Sequence, residues 1–309
     1  MLSDMNKPLF SILIANYNNG HFFKDCYASI INQSYTNWEA IIVDDASTDN
    51  SIEIIKQLIG EDKRFKLFIN EENKGCGYTK NKCAQLANGK ISGFLDPDDA
   101  LTTDAIAIMS EAHCLNNEVA IITSKYEFVD LEMNFKEASS QGSSLPSGKS
   151  YLTYGRGAFT HFATFKNSFY LKSIRIDPKM KRAVDQDLYF KLEEQGKHLF
   201  INQVLYRYRI HQDSISCNEN SYKAKYWHFY AINEAYHRRR KQKLGVNNFT
   251  HKQIKVIRSD YYFSRFVLLK CSKKNTLKFY FLGKAFFACP LHKLKLKFKS
   301  LILVLMGRI

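Results

Sequence analysis

Three carboxylates fall within four positions in Phe94-Leu95-Asp96-Pro97-Asp98-Asp99, directly after a short apolar stretch. Side chains this dense at the end of a strand repel one another unless a cation lies among them. A hard divalent ion with oxygen ligands, Mg2+ or Mn2+, is the fitting partner, and such an ion also takes phosphate oxygens. The same residues would equally make a solvated Asp-Pro turn feeding a helix. Two other polar clusters weigh on that choice. Asn16-Tyr17-Asn18-Asn19-Gly20 ends the apolar run Phe10 to Ala15, and Asp44-Asp45-Ala46-Ser47-Thr48-Asp49 ends Ala40-Ile41-Ile42-Val43.

The elements that must position these clusters are readable from periodicity. Strands are expected at 10–15, 40–43, 65–69 and 91–95, with helices following the first three near 22–31, 51–60 and 77–88. Continuous apolar strands alternating with helices imply an α/β fold with a mainly parallel sheet covered on both faces. Ligands of such sheets bind beyond the C-terminal strand ends, so clusters far apart in sequence should meet on one rim. Residues 137–150 are rich in Ser and Gly and read as a loop. Further on, a helix is expected from Asp185 to Gly196, then two short strands at 199–201 and 204–210. From about 221 the pattern is helical, with many aromatics and lysines.

Charge divides the chain. Residues 221–309 hold 21 Lys and Arg against only Glu234 and Asp260, so the formal net charge of +15 belongs to that end. The expected division is a 1–220 domain, with a nucleotide half at 8–100 and an acceptor half at 101–220, followed by a basic helical region at 221–309. The seven cysteines are scattered, without a C-x-x-C pair, which disfavours a zinc site or disulfide framework and fits a reducing compartment. The first residues carry no apolar signal core, and no window nears 18 apolar residues. A cytoplasmic protein is therefore expected, peripheral at most on the inner face of the membrane.

Five segments in order resemble the family 2 glycosyltransferases, nucleotide-sugar enzymes of the GT-A fold. They are Ser11-Ile12-Leu13-Ile14-Ala15-Asn16-Tyr17-Asn18, Ile41-Ile42-Val43-Asp44-Asp45-Ala46-Ser47-Thr48-Asp49, Asn73-Lys74-Gly75, Phe94-Leu95-Asp96-Pro97-Asp98-Asp99 and Asp185-Gln186-Asp187-Leu188. The resemblance extends over roughly residues 9–212, about two thirds of the chain. The resemblance implies that Ala15, Asn16 and Tyr17 meet the nucleotide, with Tyr17 stacking on the base. Asp45, with Asp44 alongside, would accept the imide N–H of uracil, making a UDP-sugar the donor. Asp96 and Asp98 match the family's D-x-D pair: Asp98 is the expected ligand of Mn2+ or Mg2+, and Asp96 faces the ribose or the ion's water shell. His211, after Tyr206-Arg207-Tyr208-Arg209-Ile210, resembles a late family segment whose His reaches the metal or diphosphate. Lys80 stands where the family usually has Arg, able to meet a phosphate as a point charge but without the bidentate fork, or else to lie on a solvated helix face. Asp185 would be the general base of a single, inverting displacement, although Val184 replaces the acid that usually precedes it. Asp187 is a candidate for acceptor contact, His161 for the acceptor pocket, and Asp99 is expected to cap a helix beginning near Leu101.

The implied activity is transfer of one sugar to a saccharide or lipid-linked saccharide acceptor in bacterial surface polysaccharide synthesis, such as O-antigen or capsule. Processive synthases of the family carry spanning helices and Gln-x-x-Arg-Trp, and this sequence has neither. A nucleotidyltransferase would need a basic Gly-rich loop after the first strand, which Asn16 to Gly20 does not supply. A non-catalytic sugar-nucleotide or membrane-binding module is the other alternative. The Arg238-Arg239-Arg240-Lys241 run, the lysines at 293, 295, 297 and 299, and nearby aromatics suit an anionic membrane face. An ordinary helical core or an oligomer contact would use them too. Nucleic acid is not expected, since no recognition motif accompanies the charge.

Overall fold

The computed structural model describes residues 7–155, 157–211, 221–269 and 275–307. Arg156, Cys217, Cys271 and the 212–216 segment after His211 lie outside the described residues. The chain divides into two compact units, 1–214 and 215–309.

The first unit is built on strands that are apolar on both faces. β1 (Phe10–Asn16) lies parallel between β2 (Trp38–Asp44) and β4 (Ile91–Phe94), and β3 (Phe65–Ile69) pairs parallel with β2. Successive side chains alternate faces. Phe10, Ile12, Ile14, Ala40 and Ile42 join one core with residues of α1 (Phe23–Ile31), α2 (Ser51–Ile59) and α4 (Ala105–Leu115). Leu13, Ile41 and Val43 point the other way and are fully buried too, and α3 (Cys76–Leu86) lies against β1 and β2. Helices on both faces explain why these strands read as unbroken apolar runs.

Beyond β4 the sheet becomes mixed. β5 (Ala100–Leu101), β6 (Val119–Val129), β7 (Phe135–Ala138), β8 (Thr164–Lys166) and β9 (Lys197–Arg209) complete nine strands in the order β3-β2-β1-β4-β8-β6-β9-β5, with β7 on β6. β8 runs antiparallel to both β4 and β6, whereas β6 and β9 are parallel. β9 was expected as two short strands and is one. Ser124 pairs with Ile201 and Lys125 with Val204, so Asn202 and Gln203 bulge out of a continuous ladder. The short helices α5 (Tyr151–Tyr154) and α6 (Asn167–Lys172) precede α7 (Val184–Glu193).

A buried carboxylate locks the sheet's lower end. Glu39 accepts Ser11 Oγ (2.7 Å), Lys66 Nζ (2.8 Å) and Asn88 N (2.6 Å), joining β1, β2, β3 and the turn before β4. Burial alone would raise its pKa, but these donors prevail and lower it to about 2.

The second unit is helical: α8 (Ser221–Lys241), α9 (His251–Leu269), α10 (Asn275–Ala288) and α11 (Leu294–Leu305). Its core is Phe263, Phe266, Leu282, Ala285 and Val304. Among the described residues, no helix is long and apolar enough to cross a membrane.

Candidate active site

Parallel register brings the strand-end clusters to one rim. Asn16 is level with Asp44 and Leu13 with Phe94, so Asp96 leaves the sheet beside the end of β1. Asp44 is fully buried and accepts Asn16 Nδ2 (2.6 Å), Ser47 N (2.8 Å) and Ser47 Oγ (2.7 Å). Asn18, in the left-handed region at φ 54°, takes Thr48 N on its Oδ1 and donates its own N–H to Ser47 Oγ. These bonds tie the loops after β1 and β2 into one frame. Ala15 lies level with Val43 inside it, and Tyr17 projects from it, 43% exposed, with a ring face open to a partner. Helix α2 takes its N-terminal bond from Asp49, on Ser51 N at 3.0 Å, not from Asp44 or Asp45.

Asp45 clamps the Asn-Lys-Gly turn. Its Oδ1 accepts Asn70 Nδ2 (2.8 Å) and Lys74 N (2.9 Å), and its Oδ2 accepts Gly75 N (2.7 Å). Gly75 sits at φ 89°, where a side chain would be strained. A carboxylate has about four acceptor sites, so Oδ2 keeps one for a further donor. The clamp also fixes where α3 begins, and therefore where Lys80, one turn along it, points.

Lys80 is the hinge of the arrangement. The solvated reading of this residue is overturned: it is buried, because the small residues Gly77, Thr79 and Ala84 let α3 lie close in. Its Nζ donates to Asp185 Oδ1 (2.8 Å) and Oδ2 (3.0 Å) and stands 3.4 Å from Asp96 Oδ1, over the Phe94 ring. Burial would lower the Lys80 pKa, but Asp185 and Asp96 outweigh it and hold the ammonium well above its usual range. Asp96 is the mirror case, pushed up by burial and brought below the usual carboxylate range chiefly by Lys80. One cation thus joins the strand-end cluster to α7, across 105 residues of sequence for the Asp185 bond.

Asp185 lies in the first turn of α7 with a half-exposed carboxylate, and Ala183, not Asp185, occupies the N-cap position. Ala183 holds φ 55° and Ala46, beside Asp45, φ 59°; both are unusual for a residue with a Cβ. Asp187 does not reach outward: it is buried and ion-paired with Lys191. His161 stacks on Tyr206 (5.6 Å) near Tyr126 and Tyr208, between β6 and β9, and burial lowers its pKa against the pull of Asp96 and Asp185.

The other two carboxylates divide their roles. Asp99 does not cap a helix. Ala100 and Leu101 form β5, and α4 starts later, with Asp104 at its N-cap position. Asp99 instead accepts Tyr206 O–H (2.5 Å) and Arg209 N (2.8 Å), pinning the acidic loop to β9. Burial, then Asp98 and Asp96, push its pKa well up. Arg209 completes the brace, donating to Asp98 O (2.8 Å), Leu131 O and Asp25 Oδ2 (2.6 Å), with its guanidinium over Phe22. Arg209 and Tyr206 were not singled out as site residues in the sequence; their signal was membership of the same stretch as His211. Asp98 Oδ2 faces His211 Nε2 at 2.9 Å. Its pKa is raised by burial and by Asp96, against the His211 bond.

Asp98 and His211 fit a divalent ion by their chemistry. An anionic carboxylate under like-charge stress and an imidazole converge, and among the described residues His211 Nδ1 is buried without a hydrogen-bond partner. Asp96, expected at the ribose or the ion's water shell, stands beside Lys80. Among the described residues, no three acidic, His or Cys side chains are grouped to hold a metal.

Gly77 is a dependency the sequence did not flag. Its N–H donates to Met180 O (2.9 Å), and a Cβ there would lie 2.3 Å from that oxygen and 2.8 Å from Asp177 O. Gly77→Ala should therefore force α3 away from the segment leading into α7. We expect about 1–3 kcal/mol lost in stability and at least about tenfold lower turnover, since misplacing reacting groups is costly. Wild-type melting and turnover in this variant would refute the contact's importance.

Comparisons with known proteins bear on the family and the fold. The sequence model of glycosyl transferase family 2 matches residues 11–176. Chondroitin synthase of Pasteurella multocida (strain Pm70) is 28% identical over 248 residues, 78% of this chain but 25% of that protein. The chain thus spans about a quarter of that relative's length. UDP-Glc:alpha-D-GlcNAc-diphosphoundecaprenol beta-1,3-glucosyltransferase WfgD of Escherichia coli is 32% identical over 126 residues, 41% of this chain and 49% of that one. Among solved structures, S. aureus TarS 1-349 in complex with UDP-GlcNAc superposes with a TM-score of 0.65 at 17% identity, covering 91% of this chain and 81% of that one. At that identity the likeness speaks for the fold.

Proposed function

Because the chain belongs to glycosyl transferase family 2, we propose that it moves a single sugar from a UDP-sugar to a saccharide acceptor, with inversion, in the making of a bacterial surface polysaccharide. The observation that carries this reading is the Lys80 bridge between Asp96 and Asp185, which draws a strand-end acid and a candidate base to one place. Tyr17 offers a ring for the base, and the open acceptor site of Asp45 suits the uracil imide N–H. The UDP-GlcNAc complex of TarS and the UDP-Glc in the WfgD name support a uridine donor.

In the proposed reaction the acceptor hydroxyl approaches the face of the anomeric carbon opposite the diphosphate. Its oxygen forms the new glycosidic bond as the bond to the diphosphate oxygen breaks, and Asp185 takes the hydroxyl proton. UDP leaves with the bonding electrons. Lys80 keeps the Asp185 carboxylate aimed, and Asp99, Tyr206 and Arg209 hold the acidic loop in place. Asp98 and His211 are the residues that would hold Mn2+ or Mg2+, whose bound ion supplies Lewis-acid neutralisation of the leaving diphosphate. The WfgD name supports a lipid-linked acceptor, which would place the reaction on the cytoplasmic side of a membrane.

A panel of nucleotide sugars, read by nucleotide diphosphate release with and without Mn2+, tests the reading. We expect metal-stimulated turnover with one UDP-sugar. Equal background across the panel for wild type and Asp185→Asn would leave only a binding module.

A further inference from the structure

Beside the core positions Leu282, Ala285 and Val304, the two last helices bury lysines and leave large apolar side chains exposed. On α11 the inward positions are Lys297 (fully buried), Ser300 and Val304, while Phe298, Ile302 and Leu305 stand exposed. Those three recur at i, i+4 and i+7 and so share one face. The adjoining row of that face begins with Lys295 and Lys299 and ends at Met306, all exposed. On α10, Lys278 is buried while Phe287 is 89% exposed, and Leu291 in the following turn is 82% exposed. The four lysines at 293, 295, 297 and 299 are therefore not one solvated set. Lys297 Nζ donates to Ala285 O (2.9 Å) and Cys289 O (2.7 Å), satisfying carbonyls at the end of α10, and Lys293 pairs with Asp260.

A surface helix in water does the reverse, keeping lysines out and phenylalanines in. We infer that the outward face of α11, with the α10–α11 turn, lies in the interface of an anionic lipid bilayer. The occupant is argued from charge and composition. Residues 221–309 carry 21 basic and two acidic side chains, and one of those acids, Asp260, is already bound by Lys293 and His292. Exposed apolar residues flanked by lysines are the pattern of a helix lying in a membrane surface. Protein interfaces, by contrast, are depleted of lysine. None of these helices is long and apolar enough to span, so Ile302, Leu305 and Met306 would sit at acyl depth while Lys295 and Lys299 meet lipid phosphates. The inference deepens the proposed lipid-linked acceptor but does not depend on the transfer chemistry.

Flotation of the full chain with vesicles of phosphatidylcholine alone, or mixed with phosphatidylglycerol, tests it. We expect flotation with the anionic vesicles only, weakening as salt rises. The pair Lys295→Glu and Lys299→Glu should reduce partitioning by about thirtyfold, and Phe287→Ser with Leu305→Ser by about tenfold. These positions are exposed, so unchanged melting and unchanged turnover on a water-soluble acceptor should accompany both losses. Absence of wild-type flotation, or equal flotation of all variants, would overturn the inference. So would a wild-type dimer that the serine pair makes monomeric without changing flotation, because the face would then serve a second copy. Absent wild-type flotation beside intact wild-type transfer sinks only this inference, and absent wild-type transfer beside intact wild-type flotation sinks only the proposed reaction.

Discussion

Asp185→Asn should lower kcat by about 10³-fold, within the range of a removed general base, while the donor KM stays within about twofold. The amide matches the carboxylate in shape but cannot take the acceptor's proton. Structural collapse is not expected, because the Asp185 side chain is half exposed and Lys80 keeps Asp96 as a partner at 3.4 Å. Stopped-flow or steady-state kinetics on the preferred donor would check the split. A variant that lost donor binding and turnover together would assign Asp185 to binding instead of proton transfer.

Asp98→Ala carries the second large effect. If Asp98 and His211 share the ion with the diphosphate, removing the carboxylate should abolish the Mn2+-dependent part of UDP binding and cut turnover by about 10²–10³-fold, as expected when Lewis-acid neutralisation is lost. The fold should survive. Burial and then Asp96 oppose the ionised form of Asp98, and the loop around it is pinned independently by Asp99 on Tyr206 and Arg209. Calorimetric titration of UDP with and without Mn2+ would show this. Full metal dependence in Asp98→Ala would transfer the ion to other residues.

β1, β2 and β4 were legible because they are buried on both faces and read as unbroken apolar runs, each closed by a polar cluster. Parallel register then forces those clusters together, so Asn16, Asp44 and Asp96 could be grouped without coordinates. The second half resisted for physical reasons. β6 is broken in sequence by Thr123, Ser124 and Lys125, β8 has only three residues, and the pairing of β8 with β4 and β6 is decided by tertiary contacts. A polar bulge at Asn202 and Gln203 made β9 look like two strands.

Charged residues were the hardest to read. Asp99 stands before an apolar stretch, as a cap would, yet β5 intervenes and Asp104 takes the N-cap position. Lys80 on a helix looks solvated until Asp185 arrives from far along the chain. Lys297, spaced like its outward neighbours, turns inward because helical geometry and the carbonyls ending α10 place it there. In each case the residue type suggested a role, and a partner distant in sequence or a neighbouring helix end decided it.

The most direct measurement is a crystal structure of the chain with UDP and Mn2+, using the anomalous signal of manganese to place the ion. The expected result is manganese on Asp98 and His211, the diphosphate sharing it, uracil against Tyr17 and Asp45, and Asp185 facing the open side. Nucleotide density away from this rim, or manganese bound without Asp98, would contradict the site.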